Sequence, residues 1–218
     1  MIGSFYSEKM GRPVNYESLG ERLFYYYLEL DKEVIRYYEQ PVEVPAINAE
    51  GKNWNHVPDV LFFRRGATPF LCQVKENEET AMIDAKLQLI NHYCEKYALS
   101  HGWRYEVIFP KDMPVVLARN LKYLKRYLRP RRYYEDWEDR VVQRVIYLEC
   151  CTIRRLVDTF DDKIDPLALL PLIYHLISKG VLSVDFSQVI GPNTLVSINK
   201  RDNSLSINFK GGIYHGNK

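Results

Sequence analysis

One stretch of the chain, residues 57–75, constrains the fold more than any other. Its two apolar runs have strand length and flank a turn at Arg64-Arg65-Gly66, a pattern that predicts a β-hairpin. Asp59 stands at the start of the first strand, Val60 to Phe63, and the second run ends in Gln73-Val74-Lys75. Because Gln73 and Lys75 are two residues apart, their side chains point to the same face. The hairpin therefore predicts that an acid, an amide oxygen and a lysine converge at one end.

These three side chains suit the hydrolysis of a phosphodiester with a divalent cation. Oxygen ligands hold a hard metal, the metal activates water, and the lysine supports the nucleophile or the phosphate. A structural interpretation is equally open, because Pro58-Asp59 before a strand is a common turn. A lysine at a strand end is also commonly a solvated edge charge.

Length and composition set the outer limits. The 218 residues allow one large domain or two small ones, and 46% hydrophobic residues predict a folded chain. A net charge of +2 means that any nucleic-acid surface must be local. The four cysteines lack zinc spacing and indicate reduced thiols in a cytoplasmic protein. No membrane span and no phosphate-binding glycine loop is apparent, so a nucleotide-driven step would belong to another protein.

Glu21 has two open interpretations. Ser18 followed by Glu21 matches a capping box for a helix that runs to about Leu30. Glu21 also shares one helical stripe with Phe24 and Leu28, and an acid on such a stripe tends to face inward. The carboxylate is thus either a cap or a metal ligand.

The elements around the hairpin predict an α/β fold with a mixed sheet. Met1 to Val14 has mixed composition and predicts a mobile or docking arm. The segment Ala46 to Asn55 is polar and predicts a loop. The other expected elements are a strand from Val34 to Val44 interrupted at Pro41, a helix from Thr80 to Tyr97 and a strand from Trp103 to Phe109.

A basic helix is predicted from Leu117 to Leu128. Between Trp103 and Arg132 the chain has nine Lys or Arg residues and two acids. One face of the helix and its extension carries Arg119, Lys122, Arg126 and Arg129. Such a face is either simply solvated or a track for the phosphate backbone of DNA.

Pro130 marks a predicted domain boundary, which gives domains 1–129 and 130–218. The second domain is expected to contain three helices followed by a β-hairpin, an order that resembles a winged helix. The expected elements are helices over Tyr133 to Cys150, Thr152 to Phe160 and Pro166 to Lys179, then two strands within Val181 to Ile198. The last residues, Lys210 to Lys218, are glycine-rich and polar and are expected to be flexible.

The ordered set of motifs resembles the TnsA family, the endonuclease subunits of heteromeric transposons, some of which are CRISPR-associated. The motifs are Ser18-x-x-Glu21, Tyr38-Glu39-Gln40-Pro41, Pro58-Asp59 and Gln73-Val74-Lys75. The resemblance implies a restriction-endonuclease-like catalytic domain and a smaller winged-helix-like C-terminal domain. It also implies cleavage of the 5′ strands at transposon ends during cut-and-paste transposition.

The resemblance further implies a role for each site residue. Glu21 would be an acidic metal ligand, Asp59 the bridging ligand, Gln73 a carbonyl-oxygen ligand and Lys75 the catalytic lysine. The backbone carbonyl of Val74 would add another ligand for Mg²⁺ or Mn²⁺. The implied partners are double-stranded DNA at the transposon ends, a TnsB-like transposase and a TnsC-like ATPase, with no membrane.

Two other functions remain open at this point. The chain is alternatively a restriction or repair nuclease of the same superfamily, or a non-catalytic adaptor that binds DNA or protein through a nuclease fold. A metal bound at Asp59 would argue against the adaptor.

Overall fold

A computed structural model of the chain describes residues 3–48, 51–76 and 85–199. The chain divides into two compact units. The first runs to Met113 apart from Glu29–Lys32, and the second contains that short segment and the described chain from Pro114 onward. Within the described part of the chain, no helix is both long and apolar enough to cross a membrane.

The first unit is built from two helices and eight strands among the described residues. In chain order these are β1 (Gly3–Ser7), β2 (Arg12–Tyr16), α1 (Leu19–Leu30, whose end lies beyond the unit), β3 (Val34–Glu39), β4 (Val44–Ile47), β5 (Asn53–His56), β6 (Val60–Arg64), β7 (Phe70–Val74), α2 (Ala85–Ser100) and β8 (Arg104–Ile108). A 3₁₀ turn, Pro110–Asp112, follows β8.

A four-stranded mixed sheet in the order β3-β6-β7-β8 forms the centre of the first unit. The strands β3, β6 and β7 are antiparallel, and β8 lies parallel to β7. A parallel neighbour requires a crossover connection, and α2 lies within the connection between β7 and β8. The predicted hairpin and the mixed sheet are confirmed.

The two faces of this sheet are covered by different elements. On one face α1 contributes Phe24, whose ring centroid lies 6.0 Å from that of Phe62, and Tyr25, which stacks on Tyr37. On the other face Leu61 and Leu71 pack with Ala98 of α2. Successive strand residues point to opposite faces, so β6 supplies both layers from one run of apolar residues.

Of three predictions for the first unit, those for the N-terminal arm and for residues 46–55 are wrong, and the interrupted strand is confirmed. The predicted N-terminal arm is the hairpin β1–β2, in which residues 3–7 pair with residues 12–16 around a turn that contains Gly11 at φ 63°. The predicted interruption at Pro41 is confirmed: β3 ends at Glu39 and β4 begins at Val44, because Gln40 adopts φ 45° and Pro41 has no N–H to donate. The predicted loop Ala46 to Asn55 is largely the hairpin β4–β5, closed by Asn48, whose Oδ1 accepts from Lys52 N at 2.8 Å.

Some predicted elements differ at their ends. Helix α2 is described from Ala85 and continues to Ser100, whereas residues 80–84 of the predicted helix and the expected flexible tail from Lys210 lie outside the described residues. The predicted basic helix begins two residues earlier, at Val115, and its last turn is 3₁₀. All four cysteines are free thiols, as expected.

In its described residues, the second unit combines four helices with a small antiparallel sheet in the order β10-β11-β9. Its elements are α3 (Val115–Leu124), a 3₁₀ turn (Lys125–Tyr127), α4 (Tyr134–Leu148), β9 (Cys150–Thr152), α5 (Ile153–Asp158), α6 (Pro166–Ser178), β10 (Leu182–Ser183) and β11 (Leu195–Ile198). Side chains of Thr152 and Asp165 cap α5 and α6 by accepting backbone N–H groups.

Helix α3 belongs to the second unit because it packs against α6. The ring centroids of Tyr123 and Tyr174 are 5.1 Å apart, and Ser178 Oγ donates to the carbonyl of Leu124 at 3.0 Å. The compact units therefore divide between Met113 and Pro114, whereas the sequence places the domain boundary at Pro130.

Asn120 is the buried polar residue that holds the segment after β10 against α3. Its amide nitrogen donates to the carbonyls of Phe186 and Gln188 at 3.1 and 2.7 Å, and its oxygen accepts from Ile190 N at 3.2 Å. One buried side chain thus satisfies three backbone groups that belong to no helix or strand.

We expect Asn120→Ala to lower the free energy of unfolding by about 2 to 4 kcal/mol, because it leaves buried backbone groups without partners. The exposed neighbour Arg119→Ala is the matched control and should change it by less than about 0.5 kcal/mol. Urea unfolding followed by circular dichroism measures both. Equal, small effects would contradict the role assigned to Asn120.

Candidate active site

Asp59 lies where β6 begins, directly beside β7. The register pairs Val60 with Cys72, so one further step places Asp59 opposite Gln73. The backbone of Asp59 is held on both sides: its N–H donates to the carbonyl of Cys72 at 3.1 Å, and its carbonyl accepts from Gln40 N at 3.0 Å. The sheet therefore fixes the position from which the carboxylate projects.

The Asp59 carboxylate accepts hydrogen bonds through one of its two oxygens. Oδ2 accepts the backbone N–H of Val74 at 2.6 Å and also accepts from Nε2 of Gln73. Among the described residues, Oδ1 receives no hydrogen bond, so its lone pairs are available to a cation. The arrangement anchors the carboxylate and still leaves it able to act as a ligand.

Gln73 connects Asp59 to a histidine that the sequence analysis did not identify. The Gln73 side chain is buried, and its Oε1 lies 2.6 Å from Nε2 of His56, the last residue of β5. An amide oxygen can only accept, so Nε2 of His56 donates in this bond. The hairpin β4–β5 thus brings His56 to the end of β7.

Glu21 caps helix α1. Its N–H donates to Ser18 Oγ at 3.0 Å, and its carboxylate accepts the N–H of Glu17 at 2.8 Å. The predicted capping interaction is confirmed, although the carboxylate reaches one residue further back than in a standard capping box. The pKa of Asp59 is raised mainly by burial, and the negative charge of the Glu21 carboxylate adds to this shift. The role of Glu21 as a ligand remains a prediction.

Lys75 directly follows β7, and its N–H donates to the carbonyl of Ile108 at 2.9 Å. The side chain is half-buried. Burial is the largest cause of the pKa shifts of Asp59 and His56; the positive charge of Lys75 opposes the rise at Asp59 and adds to the fall at His56. Asp59, Gln73 and Lys75 therefore occupy one end of the sheet, as the sequence predicts.

The electrostatics of the cluster are dominated by burial. Burial raises the pKa of Asp59 to about 6; the Val74 N–H opposes this shift, and the charge of Glu21 adds to it. Burial lowers the pKa of His56, the bond to Gln73 opposes this, and Lys75 and Lys86 lower it further. Burial also raises the pKa of Tyr25, whose hydroxyl donates to the Asp59 carbonyl at 3.2 Å. The site holds a carboxylate with incomplete charge compensation.

Two protein-family models together match most of the chain. The TnsA-like endonuclease N-terminal model matches residues 31–109, and the TnsA endonuclease C-terminal model matches residues 112–186. The chain belongs to the TnsA endonuclease family. A search of curated proteins finds no match. Family membership implies DNA and transposase proteins as partners in general.

The two matched ranges contain different groups of the predicted site residues. Asp59, Gln73 and Lys75 lie inside the N-terminal match, and Glu21 precedes it. The four basic residues lie inside the C-terminal match, and the second unit exposes all of them: Arg119, Lys122, Arg126 and Arg129. Neither match by itself assigns a role to a residue.

His56 and Tyr25 are the site contacts that the sequence analysis missed. Tyr25 lies four residues after Glu21, which places it on the same helix face, and this spacing was a usable signal. His56 lies three residues before Asp59 and directly after the segment predicted to be a loop, so no pattern pointed it towards Gln73.

The raised pKa of Asp59 predicts a pH-dependent penalty on stability. An acid with a higher pKa in the folded state costs stability as pH rises from about 4 through about 6, and the full cost is about 3 kcal/mol. Asp59→Asn should therefore unfold at higher urea concentration than the wild type at pH 7.5, and this gain should shrink towards pH 4.5.

The matched control is Asp139→Asn, at an exposed position of α4. Its difference from the wild type should show no comparable rise with pH. A stability gain for Asp59→Asn that stayed constant from pH 4.5 to pH 7.5 would contradict the assigned burial of the Asp59 charge.

Proposed function

We propose that the protein is a metal-dependent DNA endonuclease subunit of a heteromeric transposase, which cleaves the 5′ strands at transposon ends. The observation that carries this proposal is the cluster of Asp59, Gln73 and Lys75 at one end of the mixed sheet, with Glu21 close enough to raise the pKa of Asp59. Membership of the TnsA family supplies the biological setting.

The donor set fits Mg²⁺ or Mn²⁺. No group of three His, Cys, Asp or Glu side chains that could hold a metal occurs in the described ranges, which argues against a zinc-type cage. The proposed donors are instead hard oxygens: Asp59 Oδ1, the Gln73 amide oxygen, the Val74 carbonyl and the Glu21 carboxylate. Few protein charges and room for waters are typical of Mg²⁺ sites. A cation would also compensate the negative charge of the Asp59 carboxylate, whose burial raises its pKa.

Each residue then has a chemical task. When bound, the cation would activate water and neutralise charge that develops on the scissile phosphate. Asp59, whose carboxylate is fixed by the Val74 N–H, would hold the cation through its other oxygen. Lys75 places an ammonium group beside the same cluster, where it supports the nucleophile or the phosphate.

The architecture of the first unit supports a restriction-endonuclease-like core. Helix α1 is followed by the antiparallel strands β3, β6 and β7, then by α2 and the parallel strand β8. The residues assigned to catalysis lie where β6 begins and β7 ends, at adjacent positions of neighbouring strands. We assign this unit as the catalytic domain.

The second unit has the element order of a winged helix. A helix, a strand, two helices and two further strands follow one another from α4 to β11, and the sheet order is β10-β11-β9. In a helix-turn-helix the second helix of the pair reads the DNA groove. Here that helix is α6, which has no Lys or Arg and is buried from Leu172 to Ser178. We therefore propose that this domain docks a protein, a TnsC-like ATPase, rather than reading DNA through α6.

A buried carboxylate argues for catalysis over an adaptor role. The Asp59 charge costs the fold stability above about pH 6, and a chain that only binds DNA or protein gains nothing from that cost. Strain of this electrostatic kind is expected where a cation or a reacting group must be bound. We place the enzyme in the cytoplasm, where its DNA substrate lies.

The isolated chain should be nearly inert on linear duplex DNA. A net charge of +2 gives weak DNA affinity, and a Gln in place of an acid leaves the site less charged for holding a metal. A TnsB-like transposase bound to the transposon ends would hold the strand in position, and positioning of this kind lowers a barrier by several kcal/mol.

Reconstitution tests this proposal. With Mg²⁺, a TnsB-like transposase and a TnsC-like ATPase, the wild type should cut the 5′ strands of end-containing DNA at least about 100-fold faster than alone. Asp59→Ala and Lys75→Ala should abolish these cuts without unfolding the protein. Lys96→Ala, at an exposed position of α2, is the matched control and should cut normally.

The outcomes separate the alternatives. Full cleavage by Lys75→Ala would remove Lys75 from the catalytic group. Robust cutting of any linear duplex by the chain alone would favour a restriction or repair nuclease, and absence of cutting under all conditions would favour an adaptor.

The exposed basic face of α3 and its extension should contact the phosphate backbone. Charge reversal of Arg119, Lys122 and Arg126 to Glu should weaken DNA binding and reduce the slope of log K against log salt by about 2 to 3, because fewer counterions are released. A control triple with the same change of charge reverses Arg154, Arg155 and Lys163, which are exposed in the same unit. Fluorescence anisotropy over a salt series measures both, and equal slopes would return the α3 face to a solvated surface.

A further inference from the structure

The Gln73 amide presents its nitrogen to Asp59. Nε2 donates to Asp59 Oδ2, and Oε1 accepts from His56. The hydrogen bonds themselves require this orientation, because an amide oxygen facing a carboxylate oxygen would be repelled. The polar end of the amide nearest Asp59 is therefore an N–H donor.

A cation between Asp59 and Gln73 needs the opposite orientation. An N–H group repels a cation, whereas the amide oxygen is a good ligand for a hard metal. A half-turn of the amide about its last side-chain torsion exchanges the two ends and leaves the rest of the residue in place. This rotation brings the amide nitrogen to His56.

His56 can bond to either end of the amide. A neutral imidazole has one donor nitrogen and one acceptor nitrogen, and exchange of tautomers interchanges them. Within the described part of the chain, Nε2 is the only nitrogen of His56 with a hydrogen bond, so exchange at Nδ1 breaks no other contact. Rotation of the amide and exchange of the tautomer together preserve the bond between His56 and Gln73.

We propose that His56 is a positioning residue for Gln73, which sets whether the amide presents nitrogen or oxygen to Asp59. With Nε2 protonated, His56 holds the amide oxygen and turns the nitrogen towards Asp59. With Nδ1 protonated, Nε2 of His56 accepts a hydrogen bond from the amide N–H of Gln73. The amide oxygen is then turned towards a divalent cation at Asp59. The proposal rests on the proposed metal-dependent function and adds to it the residue that makes Gln73 a ligand.

The first experiment is a double-mutant cycle on Mn²⁺ affinity, measured with the full chain by electron paramagnetic resonance. His56→Ala should weaken Mn²⁺ binding by about tenfold or more, as is typical for partners that orient a metal ligand. In a Gln73→Glu background the same change should cost less than about threefold, because a carboxylate has two equivalent oxygens and needs no orientation.

A rescue variant distinguishes positioning from packing. His56→Gln can donate or accept through its amide and should recover Mn²⁺ affinity to within about threefold of the wild type. His56→Phe keeps a ring but offers no nitrogen, so it should bind Mn²⁺ as weakly as His56→Ala. The comparison of His56→Gln with His56→Phe also tests the proposal if His56→Ala does not fold.

The second experiment observes the tautomer directly. Nitrogen-15 NMR of the full chain should show the ring proton of His56 on Nε2 without cation and on Nδ1 at saturating Mg²⁺. The side-chain NH₂ resonances of Gln73 should shift in the same titration. A His56 tautomer unchanged at saturation would overturn the proposal. An equal loss of Mn²⁺ affinity from His56→Ala in the wild-type and Gln73→Glu backgrounds would overturn it as well.

The Asp59→Asn variant separates this proposal from the proposed function. If Asp59→Asn loses Mn²⁺ binding and His56→Ala retains it fully, the metal site stands and only the role of His56 is overturned. If the wild type binds no Mn²⁺ that depends on Asp59, both the metal-dependent function and the role of His56 are overturned.

Discussion

The contact between the Asp59 carboxylate and the end of β7 is the interaction on which the site depends. Asp59 Oδ2 accepts from Val74 N at 2.6 Å and from the Gln73 amide, so one carboxylate oxygen ties two strands together beyond their last paired residues. Among the described residues, the remaining oxygen receives no hydrogen bond. Burial of this charge raises the pKa of Asp59 to about 6, which costs stability at neutral pH. The fold thus maintains an electrostatic cost at the position where a cation would relieve it.

The layers around the sheet explain how this cost is sustained. Aromatic residues of α1 pack on one face, and α2 packs with the hairpin β4–β5 through Val44, Ile90 and Cys94 on the other. These cores hold β6 and β7 in register and bring His56 against Gln73. The four-stranded sheet carries Asp59 and Gln73, and His56 belongs to the separate hairpin β4–β5. In our proposal this division would allow the two ligands to change their bonding without disturbing the sheet.

The sequence predicted the parts of the site that depend on local pattern. Two residues of separation place Gln73 and Lys75 on one face, and the Ser18–Glu21 spacing specifies a capped helix, so both needed only strand or helix geometry. The hairpins β1–β2 and β4–β5 escaped prediction because their strands are short and carry apolar side chains such as Tyr6 and Ile47 at exposed positions, which hides the period of two. The bond between His56 and Gln73 joins residues 17 apart on different sheets, and such a contact follows only from the assembled fold.

Anomalous scattering from crystals soaked in Mn²⁺ tests whether a cation binds at Asp59. We expect one anomalous peak within about 2 to 2.6 Å of Asp59 Oδ1 and of a Gln73 oxygen that has turned towards it. Its disappearance in crystals of Asp59→Asn would confirm the assignment. A fully soaked crystal without a peak at Asp59, or with Mn²⁺ bound only at other carboxylates, would contradict a cation-dependent nuclease site at this end of the sheet.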